Sequence, residues 1–328
     1  MAVLILTEKE LRSIINVDRD SIDAVASGFE MLSKGSVTMP PIMHIEIPEY
    51  EGDVDIKSAY VKGLDRFAVK IGAGFFQNRK LGLPSSPAMM VVISAKTGMT
   101  EAILLDNAYL TDIRTAAAGA VAAKYLAPEN VVCAGIIGAG TQGRYQMIAL
   151  KQIRDFKQLI VYDRDPELLS KYVKEMGHEL KVEVCAAKNV EEVITCAQSV
   201  VTCTPSKIPF VDSSFLHPGL HITAMGADLP EKQEIMSDVF TKVDLIACDR
   251  KSQSFSMGEL FNAKADNANF DEALVIELGD IISGKQKGRQ SQEQITICDL
   301  SGTGVQDTVI ADLAMKKALK QNLGIKIY

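Results

Sequence analysis

The chain has 328 residues, of which 47% are hydrophobic and 23% are charged, and its formal net charge at pH 7 is −7. This length predicts two domains, and the net negative charge argues against nucleic acid, which binds to basic surfaces. No apolar run approaches the ~20 residues of a membrane span, and no signal peptide opens the sequence. We therefore expect a cytoplasmic enzyme that acts on a small molecule.

The first third of the chain predicts a helix followed by several strands. Apolar residues recur at helical spacing between Ile22 and Leu32. Four strand-like runs follow, with a hairpin turn expected between the last two: DIKSAYV (55–61), RFAVKI (66–71), AMMVVIS (88–94) and EAILL (101–105). An alanine-rich helix is then predicted from Thr111 to Leu126, before Pro128. These elements predict a mixed antiparallel sheet faced by a helix.

From residue 128 onward the pattern alternates between strand and helix. The apolar run that begins at Val131 is followed by further strand-like runs: LIVYD (159–163), KVEVC (181–185), SVVTCT (199–204), LHITAMG (220–226), DLIACD (244–249) and QITICDL (294–300). Such alternation is typical of a doubly wound parallel sheet. We predict an α/β fold with a Rossmann dinucleotide-binding domain over 128–303. An α+β domain over 1–127 and 304–328 completes the fold, with the C-terminal helix (305–321) returning to it.

A glycine motif opens the second domain directly after its first strand. Gly138 permits a tight turn, Gly140 lets the backbone approach a pyrophosphate, and Gly143 lets helix pack on strand. Asp163 ends the next strand, twenty residues beyond Gly143, where a carboxylate accepts hydrogen bonds from ribose hydroxyls. Acids flank Arg164, so we predict NAD with NADH preferred, and NADPH stays open. The alternative is a glycine-rich turn of another α/β protein.

The cysteines and histidines indicate no metal site. The cysteines form no Cys-x-x-Cys pair, and most lie in apolar runs: Cys133, Cys185, Cys196, Cys203, Cys248 and Cys298. We predict that they are reduced core thiols rather than disulfides or zinc ligands. His217 and His221 are four residues apart, but the intervening Pro218 and Gly219 break a helix.

Several ordered motifs carry a resemblance that covers essentially the whole chain. They are Lys70 in FAVKIGAGF, Arg114 in LTDIRTAAAGAVAA, the IIGAGTQG turn, Asp228 in TAMGADLPEKQE, and SGTGVQD at 301–307. Together they resemble the ornithine cyclodeaminase/mu-crystallin family. Within it, three segments are similar to the cyclodeaminase-like proteins of ectoine utilisation and to iminosuccinate reductase: MPPIMHIEIPEYEGDVDIKSAYV, FFQNRKLGLPS and CDLSGTGVQDT.

The resemblance implies that an imine of an α-amino acid is formed or reduced by hydride exchange with a nicotinamide. It implies that Lys70 and Arg114 hold the substrate carboxylate and that Lys70 and Asp228 are catalytic. Asp228 would orient the substrate ammonium or relay a proton. The alternatives are a solvated strand lysine at Lys70, a helix-surface arginine at Arg114, and a helix N-cap at Asp228.

The resemblance also extends the predicted cofactor site and implies a partner. Further candidates for cofactor contact, besides the glycines, Asp163 and Arg164, are Thr141, Gln142, Thr204, Met225 and Gly226. Family members are usually homodimers that pair through the N-terminal domain, and AMMVVIS (88–94) is the candidate interface strand.

Departures from the ornithine-using pattern bear on the substrate. The acid that meets the distal amine of ornithine is replaced here by Lys57, and an arginine upstream is replaced near His44. A cationic side chain repels an ammonium and attracts a carboxylate. Our first hypothesis is therefore an NADH-dependent reductase of iminosuccinate, with aspartate as product. The others are deamination and cyclisation of an ectoine-derived diamino acid, and a mu-crystallin-like binding protein. The alternative for Lys57 is a side chain in solvent.

Overall fold

The computed structural model describes residues 2–267 and 270–328, apart from the side chains of Phe76 and Arg79, which belong to the FFQNRKLGLPS segment. The strands, in chain order, are β1 (Val3–Thr7), β2 (Val37–Thr38), β3 (Met43–Ile47), β4 (Gly52–Val61), β5 (Arg66–Phe75), β6 (Ala88–Ser94), β7 (Thr100–Leu105), β8 (Cys133–Ile137), β9 (Gln158–Tyr162), β10 (Glu183–Ala186), β11 (Ser199–Thr202), β12 (His221–Ala224), β13 (Leu245–Cys248), β14 (Val275–Glu277), β15 (Thr296–Asp299) and β16 (Ile325–Ile327).

The α-helices are α1 (Glu8–Ile14), α2 (Arg19–Ser33), α3 (Tyr109–Leu126), α4 (Thr141–Lys151), α5 (Pro166–Leu180), α6 (Val190–Cys196), α7 (Lys251–Ser254), α8 (Glu259–Asp266), α9 (Leu278–Ile282) and α10 (Gly304–Gln321). Short 3₁₀ turns occupy Pro48–Tyr50, Phe76–Leu81, Ser213–Phe215, Ser237–Thr241 and Glu272–Leu274. In the part of the chain that is described, no helix combines the length and apolarity that a membrane crossing requires.

The chain divides into two compact units, Met1–Arg114 with Thr303–Tyr328, and Thr115–Gly302. The boundary therefore lies within α3, after Arg114, whereas the sequence analysis places it after this helix. Helix α3 runs without interruption from Tyr109 to Leu126, so no sequence feature marks a boundary inside it. This boundary assigns Arg114 to the first unit.

The first unit contains a mixed sheet with the strand order β16-β1-β7-β6-β5-β4-β2, and β3 also pairs with β4. β1 and β7 are parallel, whereas the other pairs are antiparallel. Helix α10 contacts α2, β4 and β5, as predicted for the returning C-terminal segment. The amphipathic helix α2 begins at its N-cap Asp18 and buries Ile22, Val25 and Phe29. The mixed sheet with its helical layer agrees with the predicted fold class.

The second unit is a parallel sheet with the strand order β10-β9-β8-β11-β12-β15-β13-β14. From β8 the chain adds β9 and β10 on one side and then crosses to β11 and β12 on the other. This is the doubly wound order that the strand and helix alternation predicts. A parallel sheet of this kind binds ligands at the carboxyl ends of its strands, where the order reverses. The relevant edge therefore follows β8, β9, β11 and β12.

The prediction that all cysteines are core thiols is wrong for two of them. Cys133, Cys248 and Cys298 are buried, whereas Cys185 and Cys196 are exposed. Cys185 lies in β10, the edge strand of the parallel sheet, and Cys196 ends α6. An apolar run thus gives the strand but not the face that each side chain occupies. All six cysteines are free thiols.

Candidate functional site

The glycine turn after β8 has the backbone geometry that a dinucleotide requires. Gly138 has a φ of 109°, and a Cβ at Gly143 would lie 2.1 Å from the Gly138 carbonyl oxygen. Around Gly140, by contrast, a Cβ would meet no described atom within 4 Å. Gly138 is thus required by its backbone conformation and Gly143 by packing, whereas Gly140 leaves open backbone at the N-terminus of α4. Backbone N–H groups at such a terminus bind pyrophosphate. The predicted residues Thr141 and Gln142 form the first turn of this helix.

Asp163 is held directly beside this turn. One of its carboxylate oxygens accepts a hydrogen bond from the Ala139 N–H (2.8 Å), and the other accepts one from the Asp165 N–H (2.9 Å). Arg164, between the two acids, is exposed. The carboxylate therefore has a fixed position at the end of β9, where the ribose of a dinucleotide would lie.

The remaining predicted cofactor residues follow β11 and β12 and are joined by Glu234, which the sequence analysis missed. The buried Glu234 carboxylate accepts hydrogen bonds from the Thr204 N–H and hydroxyl, both at 2.7 Å, and from the Gly226 N–H at 3.0 Å. A Cβ at Gly226 would lie 2.2 Å from the Thr204 carbonyl oxygen. Met225 continues β12 by donating its N–H to the Thr202 carbonyl at 2.9 Å. Glu234 could have been predicted as a site residue, because it is the last residue of the TAMGADLPEKQE motif.

Asp228 lies in the loop after β12 and is half exposed. Its carboxylate pairs with the Lys232 ammonium at 2.6 Å. The residues that follow form turns rather than a helix, so the alternative of a helix N-cap is wrong. The structure leaves Asp228 as an accessible carboxylate in the second unit.

Two buried lysines face each other in the first unit. Lys57 on β4 is directly opposite Lys70 on β5, and their relative exposures are 7% and 5%. The alternatives of a solvated strand lysine at Lys70 and of a solvent-directed side chain at Lys57 are therefore wrong. Like charges directly opposite each other destabilise an antiparallel pair. A second ionic group is needed to hold them there.

Asp307, at the start of α10, supplies that group. Its carboxylate pairs with the Lys70 ammonium at 3.3 Å and accepts a hydrogen bond from Arg114 Nε at 2.9 Å. A second guanidinium nitrogen of Arg114 donates to the side-chain carbonyl of Gln306 at 3.2 Å. Arg114 is 5% exposed, so the alternative of a helix-surface arginine is wrong. The structure brings together three of the predicted substrate residues.

The N-terminus of α10 is fixed against the sheet by close packing. A Cβ at Gly304 would lie 2.5 Å from the Ser58 carbonyl oxygen, so only glycine fits there. The Thr308 hydroxyl donates to the Ala59 carbonyl at 2.7 Å. The first contact explains the second glycine of the SGTGVQD motif, and both contacts hold the start of α10 where Asp307 meets Lys70 and Arg114.

Charge and burial together set the proton affinities in this region. Burial, together with the charges of Arg114 and Lys57, lowers the pKa of Lys70 to about 8, against the opposing effect of Asp307. Burial alone would raise the pKa of Asp307, but the charges of Arg114, Lys70 and Lys57 hold it below its usual value. The Asp307 side chain thus stays an anion, whereas Lys70 exchanges its proton near neutral pH.

Asp106, directly after β7, is a further fully buried residue that was not predicted from the sequence. Burial and the charge of Asp307 raise the pKa of Asp106 to about 7, against the hydrogen bond from the Leu110 N–H, which lowers it. We refer to Lys57, Lys70, Asp106, Arg114 and Asp307 as the cationic cluster. Its cationic side chains outnumber its carboxylates three to two, which favours an anionic ligand.

His44 has a different setting from the other predicted substrate residues. It lies on β3, where its Nδ1 is 2.7 Å from an oxygen of Asp55. The hydrogen bond to Asp55 raises the pKa of His44. Its positive charge is thus balanced locally by a neighbouring carboxylate. A role for His44 in substrate binding stays a prediction.

Comparison with known proteins shows which family this chain resembles. The family model for ornithine cyclodeaminase and mu-crystallin matches residues 1–322. The chain is 45% identical over 320 residues to a Rhizobium meliloti protein described as a dehydrogenase, covering 98% of this chain and 97% of the relative. It is 34% identical over 330 residues to alanine dehydrogenase of Archaeoglobus fulgidus, covering 100% and 98% of the two chains.

Solved structures with the same fold carry nicotinamide cofactors. An archaeal alanine dehydrogenase dimer with bound NAD is 33% identical, with a TM-score of 0.93 over 100% of this chain and 99% of that chain. A pyrroline-2-carboxylate reductase of Thermococcus litoralis, in complex with NADH and L-proline, is 28% identical with a TM-score of 0.93 over 99% and 100%. Iminosuccinate reductase of Paracoccus denitrificans, in complex with NAD⁺, also has 28% identity and a TM-score of 0.93, over the full length of both chains.

Proposed function

The chain belongs to the ornithine cyclodeaminase/mu-crystallin family, and we propose that it interconverts an α-imino acid and the corresponding α-amino acid with NAD⁺ and NADH. The alanine dehydrogenase, the pyrroline-2-carboxylate reductase and the iminosuccinate reductase described above share this chemistry and support the proposal. The open backbone at Gly140 and the fixed carboxylate of Asp163 suit the cofactor.

The substrate that we propose is iminosuccinate, a dicarboxylate imine, with aspartate as the product. The observation that carries this choice is the buried Lys57 directly opposite Lys70. Burial of an ammonium costs free energy that an anionic ligand offsets. One carboxylate would bind to Arg114 and the second to Lys57. Local pairing with Asp55 makes His44 the weaker candidate for the second carboxylate.

In this mechanism each residue has a separate task. When bound, the nicotinamide supplies a hydride to the imine carbon or removes one from the amino acid. The Lys70 ammonium gives a proton to the substrate nitrogen during reduction and, as the neutral amine, takes it back during oxidation. Asp307 holds Lys70 and Arg114 in place through its two carboxylate oxygens. A role for Asp228, in the second unit, stays a prediction.

The proposal is tested by following NADH absorbance with purified protein and a 2-oxo acid, in the presence and absence of ammonium. Ammonium-dependent loss of NADH with oxaloacetate, and aspartate as the product, is the expected result. The 34% identity with an alanine dehydrogenase favours pyruvate as a second candidate substrate. Preference for pyruvate would support imine reduction as the reaction but would reject a dicarboxylate as the substrate. Ammonia release from ornithine without net change in NADH, or no turnover of any substrate, would reject the reductase.

Asp163 provides a test of cofactor choice. We expect Asp163→Asn to raise the dissociation constant of NADH by about 10-fold, because an amide hydrogen bonds the ribose and Ala139 less well than a carboxylate does. The NADPH constant should change less, so that the ratio of the two constants narrows. Fluorescence titration with each nucleotide measures both. Asp155→Asn, a change at an exposed acid of the same unit, is the control. An equal rise in the dissociation constants of NADH and NADPH would contradict a role of Asp163 in cofactor choice.

We further propose that the protein is a homodimer that pairs through the outer face of the first sheet. Five half-buried residues form this apolar sheet face, on the side of the strands opposite the fully buried positions: Ile56, Val69, Ile71, Val91 and Ile103. They adjoin one another across β4, β5, β6 and β7. A contiguous apolar face of this kind is typical of a protein interface.

Light scattering coupled to size exclusion tests the dimer. We expect twice the chain mass for the parent protein and the mass of one chain for Val91→Asp, because a buried unpaired carboxylate opposes association. Val132→Asp, at a side chain that is 60% exposed in the second unit, should leave the dimer intact. A parent protein with the mass of one chain, or a Val91→Asp variant that stays folded and dimeric, would contradict the proposed interface.

A further inference from the structure

Glu234 joins two loops at the carboxyl edge of the parallel sheet. One of its carboxylate oxygens accepts hydrogen bonds from the N–H and the hydroxyl of Thr204, both at 2.7 Å, in the loop that follows β11. The other oxygen accepts a hydrogen bond at 3.0 Å from the N–H of Gly226, in the loop that follows β12. Because β11 and β12 are parallel neighbours, this buried carboxylate bridges two adjacent strand ends.

The main chain of Glu234 is also held by hydrogen bonds. Its carbonyl oxygen accepts from the N–H groups of Phe210 (2.8 Å) and Val211 (3.0 Å). Its own N–H donates at 2.8 Å to the carboxylate of Glu259, the first residue of α8. The second carboxylate oxygen of Glu259, which is itself fully buried, accepts from the Ile235 N–H at 3.1 Å. These contacts leave the Glu234 carboxylate little freedom to move.

The space between the two loops is closely filled. A Cβ at Gly226 would lie 2.2 Å from the Thr204 carbonyl oxygen and 2.5 Å from the carboxyl carbon of Glu234. The Thr204 hydroxyl also accepts a hydrogen bond from the Ser206 N–H at 3.3 Å, so it orders its own loop as well. The bridge needs a hydrogen-bond acceptor at each end. A carboxylate provides two acceptors, whereas an amide provides one acceptor and one donor.

These loops lie on the side of the sheet where the second half of a dinucleotide is expected. The strand order reverses between β8 and β11, and a doubly wound sheet binds the two halves of a dinucleotide across this point. Gly140 and Asp163, which suit the pyrophosphate and the adenosine ribose, follow β8 and β9. The nicotinamide half is then expected over β11 and β12, beside Thr204 and Gly226.

We propose that Glu234 is a positioning residue that sets the separation of the Thr204 and Gly226 backbones and thereby prepares the surface that binds the nicotinamide half of NAD. Backbone that is already ordered lowers the free-energy cost of binding. Glu234 acts through the two loops, and Glu259 acts through Glu234. The inference rests on the proposed function in taking NAD as the ligand, and it requires no particular substrate.

Glu234→Gln tests the bridge. Whichever loop the amide oxygen faces, the backbone N–H of the other loop loses its acceptor. We expect the dissociation constant of NADH to rise by about 10-fold, the effect of one lost hydrogen bond. The constant of ADP, which carries the adenosine and the pyrophosphate but no nicotinamide riboside, should stay within about twofold. Fluorescence titration measures the NADH constant, and calorimetry measures the ADP constant.

Two further variants separate the bridge from the charge. Glu234→Asp keeps the carboxylate but is one methylene shorter, so it cannot reach both loops and should also weaken NADH selectively. Glu231→Gln, at an exposed acid of the same loop, makes the same chemical change away from the bridge and should leave both constants unchanged. If Glu234→Gln fails to fold, Glu234→Asp carries the test, and unchanged NADH affinity in that variant would overturn the proposal.

The two nucleotides also distinguish a positioning role from a merely structural one. Equal weakening of NADH and ADP by Glu234→Gln would show that Glu234 supports the whole nucleotide site and would overturn the proposal. A parent protein that binds NADH but reduces no imino acid would reject the proposed function, and the binding constants would still decide the role of Glu234. A parent protein that binds no NADH would overturn both.

Discussion

Replacement of Lys70 by methionine should reduce imine reduction by about 10²- to 10⁴-fold, the range that removal of a general acid produces. The reason is that methionine fills the same buried volume but carries no proton. NADH affinity should stay within about twofold, because Lys70 is not among the residues proposed to hold the cofactor. Single-turnover kinetics and fluorescence titration measure the two quantities separately.

The proton-transfer role of Lys70 predicts opposite pH dependences for reduction and for oxidation in the parent protein. With a pKa of about 8 for Lys70, reduction requires the protonated form and should slow as pH rises through about 8. Oxidation of the amino acid requires the neutral amine and should accelerate over the same range.

Two further variants sharpen this test. Lys70→Arg keeps a positive charge that does not titrate, so it should bind substrate but fail in proton transfer. Lys96→Met, at an exposed lysine of the same unit, should retain full activity. A Lys70→Met variant with unchanged kcat and only a raised KM would show that Lys70 binds a carboxylate and transfers no proton.

The nucleotide-binding half was predictable because its requirements are local. Gly138, Gly143 and Asp163 lie within a short stretch of chain and are fixed by the backbone around them, and Gly140 between them leaves that backbone open. The resemblance to the ornithine cyclodeaminase/mu-crystallin family, inferred from ordered motifs, is confirmed by the match over residues 1–322. The NAD cofactor agrees with the nicotinamide nucleotides bound in the solved relatives.

The cationic cluster was only partly predictable because it is made by contacts between distant segments. Arg114 and Asp307 are 193 residues apart in sequence, and their hydrogen bond depends on the return of α10 to the first sheet. Asp106 lies in a loop, where an aspartate is common for local reasons. Nothing in the sequence indicates that its carboxylate is fully buried.

The second feature that could not be predicted from the sequence was which face of each strand is buried. Alternation gives each strand two faces, but the buried one is chosen by the helices that pack against it. Contacts of α10 with β4 and β5 bury the face that carries Lys57 and Lys70. The short strands β2, β14 and β16 were missed because two or three residues carry no recognisable period. β1 and β3 were missed as well, although each is five residues long.

Replacement of Lys57 by glutamate should change substrate selectivity more than any other single substitution proposed for this chain. A carboxylate at this position repels the second carboxylate of iminosuccinate and attracts the ammonium of a diamino acid. We expect kcat/KM for the dicarboxylate to fall by about 10²- to 10³-fold, the effect of losing a buried charge partner. Activity with a monocarboxylate such as the imine of pyruvate should fall far less.

Steady-state kinetics with oxaloacetate and with pyruvate, each with ammonium, gives the ratio of kcat/KM for the dicarboxylate to kcat/KM for the monocarboxylate. Lys57→Met removes the attraction for the second carboxylate without adding the repulsion that glutamate introduces. It should also relieve the repulsion between two buried ammonium groups, so that the fold is retained or stabilised. Lys62→Glu, at an exposed lysine just after β4, makes the same charge change away from the cluster and should leave the ratio unchanged. If Lys57→Glu lowers both activities equally, Lys57 serves the carboxylate that all substrates share. The selection of a dicarboxylate would then have to come from elsewhere in the protein.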